Sequence, residues 1–343
     1  MNFKHLRLHS MSYQEPAEFI TSDQIEAELS ALYERAKLPA GRLELQTGIK
    51  RRGFWKKGTA PSTIATQAAE KILKDFPREK IDLLIHASVC RDFLEPATAA
   101  KVHWNLKLSP HCMISDLSNA CLGVLSSMLL AGQMIESGAI KTALIVSGEN
   151  SGPLLEETIN FLKNDPTMDR KKIKPYIASL TIGSAGVAFL LTHESLAPNA
   201  PKILGGTTLT DSASSELCQG DGSTQGLMME TDSEALLKAG VKLSIDNWEK
   251  CRNVLGWQNS EVDKIIPHQV GVAHRLAMLT ELGLPLDRDF QTFEYFGNTG
   301  SAALPLTLVK ASEAQFFKPQ DKIALLGIGS GLTSTMLGME WNS

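Results

Sequence analysis

The sequence predicts an α/β protein made of two pseudo-symmetric halves, roughly 1–200 and 201–343, whose sheets sandwich shared helices. Three observations carry that prediction. A chain of 343 residues is too long for one simple core and suits two packed halves. Short apolar runs alternate with helical patterns, as expected for a mainly parallel sheet covered on both faces. Finally, Ile81–Ser88 matches Val262–Gln269 and Thr142–Gly148 matches Ile323–Gly329, each pair 181 residues apart, a register that chance rarely preserves.

The matched runs are short and apolar enough to be buried strands. Between them each half offers a helix (98–108; 271–283), a strand (112–118; 289–295), a glycine-containing turn and a second helix (121–137; 302–316). The most apolar stretch, Ala120–Met134, is interrupted by Gly123, Ser126, Ser127, Gly132 and Gln133 and is shorter than a membrane span, so it reads as a buried helix. Residues 151–178 fit no repeat position and read as an inserted cap. Residues 207–232 read as a long polar loop bordering a substrate mouth. Gly183-Ser184-Ala185-Gly186 lacks the lysine of a phosphate loop and reads as a tightly packed strand.

Lys and Arg number 34 against 38 acidic residues, and the net charge of −4 gives no general attraction to nucleic acid or an anionic membrane. Any anion site must be local. The first residues, MNFKHLRLHSMSYQEP, lack the apolar core of a secretory signal, so a cytoplasmic protein is expected. Five cysteines (90, 112, 121, 218, 251) without CxxC spacing argue against a disulfide framework and a zinc site. No metal site is expected: His268 and His274 are six apart, which does not place them on one helical face.

Within Ser118-Asn119-Ala120-Cys121-Leu122-Gly123 a thiol stands where a strand ends and the most buried helix begins. Free backbone N–H groups and the positive helix end there would lower its pKa and make Cys121 a nucleophile. The bland alternative is a small apolar core residue. In the second half the matching turn is Phe296-Gly297-Asn298-Thr299-Gly300-Ser301, and the earlier strand ends at Pro267-His268-Gln269. Pseudo-symmetry brings both towards Cys121, where His268 and the Asn298 amide could donate to a developing enolate or alkoxide. Taken singly, His268 also fits a satisfied core histidine and Asn298 a turn residue tolerating positive φ.

Gly327-Ile328-Gly329-Ser330-Gly331 follows a strand but lacks the helix of a dinucleotide loop. It reads either as a structural turn or as a close approach whose Ser330 N–H joins that of Cys121 in an oxyanion hole. The one strong basic cluster, Gly48 to Lys57, holds Arg51, Arg52 and Trp55, able to bind phosphate and stack on a purine, or simply to solvate a surface. Glu95, in the loop after the first repeat strand, faces the same side; in an apolar pocket it would serve as a general base, and otherwise it is one more solvated loop glutamate.

Together, Asn119-Ala120-Cys121, Pro267-His268-Gln269, Gly297-Asn298-Thr299-Gly300-Ser301, Gly329-Ser330-Gly331 and the run from Thr47-Gly48-Ile49 into Arg51, Arg52 and Trp55 resemble the thiolase superfamily, specifically the ketoacyl-ACP synthase III group, over nearly the whole chain. The resemblance implies a five-layered αβαβα fold of two pseudo-symmetric halves. It implies an acyl-enzyme on Cys121, a second oxyanion site of His268 and Asn298, and coenzyme A held near Arg51, Arg52 and Trp55. Thioesters of coenzyme A, with acyl-ACP as another possible donor, would be substrates, and no permanently bound cofactor is implied.

Within that group, Ser88–Ala99 and Leu325–Leu332 resemble the bacterial olefin-biosynthesis enzymes that join two fatty acyl-CoAs head to head. In those enzymes the glutamate matching Glu95 reaches the partner subunit's active site, which implies a homodimer, and the 2-alkyl-3-ketoacid passes to later enzymes. Decarboxylating synthases make their carbanion by losing carbon dioxide and need no such base. A non-decarboxylating Claisen reaction must remove an α-proton from a saturated thioester, so Glu95 favours it. A catalytically silent thiolase-fold partner subunit is the remaining alternative.

Overall fold

The computed structural model describes residues 1–223 and 226–342. In chain order the elements are β1 (Leu6–Gln14), β2 (Glu18–Thr21), α1 (Ser22–Glu28), α2 (Ser30–Arg35), α3 (Arg42–Thr47), β3 (Arg51–Phe54), α4 (Pro61–Ile72), β4 (Leu83–Ala87), α5 (Thr98–Leu106), β5 (Met113–Leu117), α6 (Gly123–Glu136), β6 (Thr142–Glu149), α7 (Gly152–Asn164) and β7 (Ala185–His193). They continue as β8 (Lys202–Thr210), β9 (Cys218–Ser223), β10 (Gly226–Thr231), α8 (Ser233–Leu255), β11 (Lys264–Pro267), α9 (Val272–Glu281), α10 (Phe293–Phe296), α11 (Ala303–Glu313), β12 (Lys322–Gly329) and β13 (Thr333–Glu340).

The main strands lie in the order β11-β12-β13-β8-β1-β7-β6-β4-β5. β5-β4-β6-β7-β1 and β8-β13-β12-β11 meet antiparallel at β1 and β8, through the pair Arg7 and Lys202, the bridge between Asn2 and Gly205, and the Phe3 and Leu8 N–H groups, which donate to Leu204 O and Pro201 O (both 2.9 Å). Period-two alternation assigns each strand's side chains to two layers. Leu83, Ile85 and Phe189 from the first half-sheet and Ile266, Ile323, Leu325 and Leu337 from the second share a central cluster with α6 and α11. Leu84, Leu144 and Leu190 face α4 and α5 on one outer side. Ile265, Ala324, Leu326 and Met336 face α8 and α9 on the other. The result is five layers, αβαβα. α6 and α11 are buried around most of their circumference because a sheet covers each side.

Several expectations need correcting. The sheet is mixed: β4 pairs in parallel with β5 and β6, and β11 with β12, but β6/β7, β7/β1, β12/β13 and β13/β8 are antiparallel. β12 returns to β13 through a three-residue turn, and a connection that short cannot make a parallel crossover. The strand expected over 289–295 shrinks to one bridge between Ile265 and Asp289. After Phe290, whose N–H donates to Ile265 O (3.2 Å), Gln269 Oε1 accepts the Thr292 and Phe293 N–H groups and the chain coils into α10 instead of continuing the ladder. The polar stretch 207–232 is the end of β8 followed by the β9/β10 hairpin. Threonines drive its first part into the sheet, Thr208 and Thr210 facing Thr335 and Thr333 across β8/β13. Thr224 and Gln225, in the same stretch, lie outside the described residues.

Residues 151–178 form α7 and a following coil that bury Leu155, Ile159, Leu162 and Ile173 against Ile25, Leu29, Leu32 and Leu43 of the first three helices. A buried Glu26 holds that subdomain by accepting the N–H groups of Gly41 and Leu43, each at 2.6 Å.

Candidate active site

Cys121 sits in a single 3₁₀ turn, Ala120–Leu122, between β5 and α6. Ala120 has φ +43°, a left-handed conformation that costs a non-glycine residue energy unless its surroundings enforce it. Ser301 enforces it from the other half: its hydroxyl donates to Ala120 O (2.6 Å) and accepts from Gly123 N–H (3.2 Å). A side chain at Gly123 would strike that hydroxyl, its Cβ lying 2.6 Å from Oγ. The thiol is not the activated thiolate expected of a helix start. Burial, with the Cys218 thiol and the Glu149 carboxylate nearby, pushes it up to about 12 against the pull of its own N–H. α6 begins two residues later, so the helix end reaches Cys121 only through an intervening turn.

β12 ends against this elbow. A Cβ on Gly329 would lie 3.3 Å from Cys121 N, so the peptide leading into Ser330 abuts the Cys121 amide. Gly331, at φ +117°, makes the return to β13. His268 follows β11 and donates its backbone N–H to Leu326 O of β12 (2.9 Å). Its side chain is buried and Nδ1 has no partner among the described residues. Burial, then the neighbouring His274, lowers its pKa to about 3, so the imidazole is neutral near pH 7. His274 itself is lowered to about 4 by burial. Gln269 ties this turn to the next: Nε2 donates to Pro267 O (2.9 Å) while Oε1 caps residues 292 and 293, which lead to Asn298.

Asn298 is held by backbone on both sides, donating to Thr181 O (3.0 Å) and accepting from Gly183 N–H (2.9 Å). Its Oδ1 accepts from Gly300 N–H (3.1 Å), which orients the amide and leaves its NH2 for another acceptor. Thus Gly183, read from the sequence only as tight packing, seats the asparagine turn, where a Cβ would meet Phe296 O at 2.0 Å.

Sequence reasoning missed Glu149, the last residue of β6. Its carboxylate is buried and accepts from Val89 N–H (2.9 Å), Cys90 N–H (3.1 Å) and Ser301 N–H (3.1 Å). Burial raises its pKa while those three N–H donors and the Cys90 thiol oppose the rise. The available signal was a lone acid closing the uncharged run Thr142–Gly148.

The basic cluster splits. Arg51 is exposed, its guanidinium stacked over Phe19 at 4.2 Å. Arg52 is 0% exposed and donates to Ser22 Oγ and Leu180 O (both 2.9 Å), so it ties α1 to the end of the cap and cannot reach a solvent phosphate. Burial lowers its pKa to about 10. Trp55 spends its indole N–H on Glu149 O (3.0 Å). Glu95 lies exposed in the loop after β4 rather than in an apolar pocket of its own chain.

Comparison with known proteins agrees with this architecture. The sequence profile of 3-oxoacyl-[acyl-carrier-protein (ACP)] synthase III matches residues 115–161, and that of its C-terminal part matches 253–341. An acyl-CoA:acyl-CoA alkyltransferase of Shewanella oneidensis is 36% identical over 99% of this chain and 100% of its own. A cysteine-to-serine form of Xanthomonas campestris OleA, solved with bound lauric acid and lauroyl-CoA, superposes with a TM-score of 0.94 at 35% identity, over 99% of this chain and 100% of that one. A β-ketoacyl-[acyl-carrier-protein] synthase III of Clostridium tetani is 26% identical over 87% of this chain and 89% of its own. With a full-length relative at 36% identity and the same five layers, the chain belongs to the acyl-CoA:acyl-CoA alkyltransferase family of thiolase-fold condensing enzymes.

Proposed function

We propose that this protein joins two fatty acyl-CoA thioesters head to head, without decarboxylation, to give a 2-alkyl-3-ketoacid through an acyl-Cys121 intermediate. The observation that carries the reading is the end-to-end match to an acyl-CoA:acyl-CoA alkyltransferase, against a lower and partial match to a malonyl-type ketoacyl synthase. The Cys121 sulfur attacks the first thioester carbonyl, its proton leaves as the bond forms, and coenzyme A departs as a thiol. The N–H groups of Cys121 and Ser330 receive the oxyanion of that step. Neutral His268 and the Asn298 NH2 then stabilise the enolate of the second acyl-CoA after a carboxylate has removed its α-proton. The carbanion attacks the acyl-cysteine, a carbon–carbon bond forms, Cys121 is released, and water cleaves the remaining thioester.

Glu95 supplies the carboxylate to a partner subunit, so the working unit is a homodimer. Its exposure fits that role, as does the company around it: Phe93 and Leu94 are 64% and 97% exposed, and β5 is an open edge strand with Met113 and Ile114 uncovered. Arg51 and the face of Trp55 hold coenzyme A, with Arg52 buried behind them. The repeat halves are 1–200 and 201–343, the second completing the site around Cys121 of the first. Among the described residues no helix is long and apolar enough to cross a membrane. We place the protein in the cytoplasm, with later enzymes consuming its ketoacid.

The test is to incubate purified protein with myristoyl-CoA alone and follow both intact protein mass and products. An acyl adduct lost in Cys121→Ala, together with a long-chain ketoacid or its ketone, is expected. Product that requires malonyl-ACP and releases carbon dioxide would replace this reading with the decarboxylating synthase, and no adduct would replace it with a silent subunit.

A further inference from the structure

We infer that Glu149 and Ser301 form a brace that couples the Cys121 elbow to the loop carrying Glu95, so that one buried carboxylate sets the geometry of both half-reactions. The inference rests on the condensation reading above. Glu149 stands at the end of β6, beside β4, and each of its oxygens is committed. Oε1 receives Val89 and Ser301 N–H, and Oε2 receives Cys90 N–H. Val89 and Cys90 are the root of the loop that reaches Glu95 five residues later. Ser301 carries the constraint across the half-barrier, since its hydroxyl grips Ala120 O and Gly123 N–H on either side of Cys121.

Packing leaves this unit little slack: a Cβ on Gly300 would lie 3.1 Å from Glu149 Oε1. Trp55 fixes the backbone of Glu149 from the outer side. A buried carboxylate is costly to desolvate, and three converging N–H donors are what make it tolerable here. An apolar residue would fill the same volume but could not hold two separate loops by three directed bonds. Glu149 and Ser301 are therefore positioning residues, acting through Cys121 and Glu95 rather than on substrate.

Two substitutions separate the two arms. Gln at 149 can still accept from Val89 and Ser301, but its NH2 faces the Cys90 N–H, so the loop root loses an anchor while the elbow keeps its own. Ala at 301 retains the backbone bond to Glu149 and loses both elbow bonds. Under single-turnover conditions with myristoyl-CoA, Glu149→Gln should slow condensation at least tenfold more than acylation, and Ser301→Ala should slow acylation more than condensation. Glu149→Gln also removes a negative charge beside Cys121. The pH midpoint for iodoacetamide alkylation of Cys121, followed by peptide mapping, should drop in that variant and stay in place in Ser301→Ala.

Equal slowing of both steps in both variants, or none, would overturn the brace. If Glu149→Gln does not fold, Glu149→Asp replaces it: it keeps the charge, so the alkylation midpoint should stay in place, while its shorter reach should still slow condensation more than acylation because the Ser301 hydroxyl keeps both elbow bonds. Unsubstituted protein runs alongside. Should it make no ketoacid, the condensation reading has failed, and the brace is judged on alkylation of Cys121, where slowing by Ser301→Ala supports it and an unchanged rate and midpoint in both variants sinks it.

Discussion

At the ends of two matching strands the chain does opposite things. After β11 it turns inward: His268 and Gln269 are buried, and Gln269 clamps the turn with three backbone bonds to Pro267, Thr292 and Phe293. After β4 it runs outward for ten residues, 88–97, anchored at its root by Glu149 and at its far end by Thr98 and Asp116, with Phe93, Leu94 and Glu95 in solvent. Repeat symmetry therefore reproduces the scaffold and not the use made of it. A polar turn kept inside one chain can be preorganised by that chain alone, whereas a carboxylate on an apolar, exposed loop is organised only when another surface covers it.

That contrast makes the largest prediction one about mixing. Glu95→Gln keeps size and most hydrogen bonding but cannot accept the α-proton, so it should release about one equivalent of coenzyme A per site and then stall with its adduct intact. Mixed with Cys121→Ala, it should regain part of the activity, because a heterodimer contains one site with Cys121 from one chain and Glu95 from the other. Full condensation by Glu95→Gln alone would remove the base assignment, and absence of complementation would return Glu95 to its own subunit. A smaller effect belongs to the inward turn. Loss of one preorganised donor raises a barrier by roughly 2.7–4 kcal/mol. Asn298→Ala should thus lower condensation about a hundredfold or more while adduct formation persists. Equal losses in the two steps would mean that Asn298 serves folding or first-substrate binding instead.

How much of this was legible beforehand follows from what each feature depends on. The repeat strands, the central helices and the Cys121 elbow were readable because burial on both faces writes continuous apolar runs and the register is a sequence property. The missing strand at 289–295 was not, because Gln269 reaches it from the preceding turn and takes the Thr292 and Phe293 N–H groups. Arg52 looks identical to Arg51 in a basic run; only the pleat of β3, which alternates faces, sends one to solvent and the other to Ser22 and Leu180. Glu149 escaped notice because its partners are backbone N–H groups of residues 60 and 152 positions away, which no side-chain pattern records.

The smallest prediction concerns acid stability and sets His86, at the end of β4, beside His268. Both are buried histidines at the mouths of matching strands, and burial lowers His86 to about 4 even with Asp116 and Asp92 pulling upward and Arg91 downward. A histidine whose native pKa lies below its unfolded value near 6.5 binds its proton more readily in the unfolded chain. Stability is therefore unaffected well above pH 6.5 and is lost as pH falls from there towards the native value, at up to about 1.4 kcal/mol per pH unit for each such group. Among the described residues His86 makes one side-chain bond, to Ser88 Oγ at 3.2 Å, and its Nε2 has no partner, so the neutral ring gains little from its site. His86→Gln cannot take up that proton. Its unfolding free energy, from denaturant titrations at pH 7 and pH 5, should fall less between the two than that of the unsubstituted protein, by up to about 2 kcal/mol. A larger fall in His86→Gln than in the unsubstituted protein would show that His86 is already protonated in the native state, paired with Asp116, and that the two strand ends differ in charge as well as in direction; an identical fall would show that burial does not lower His86.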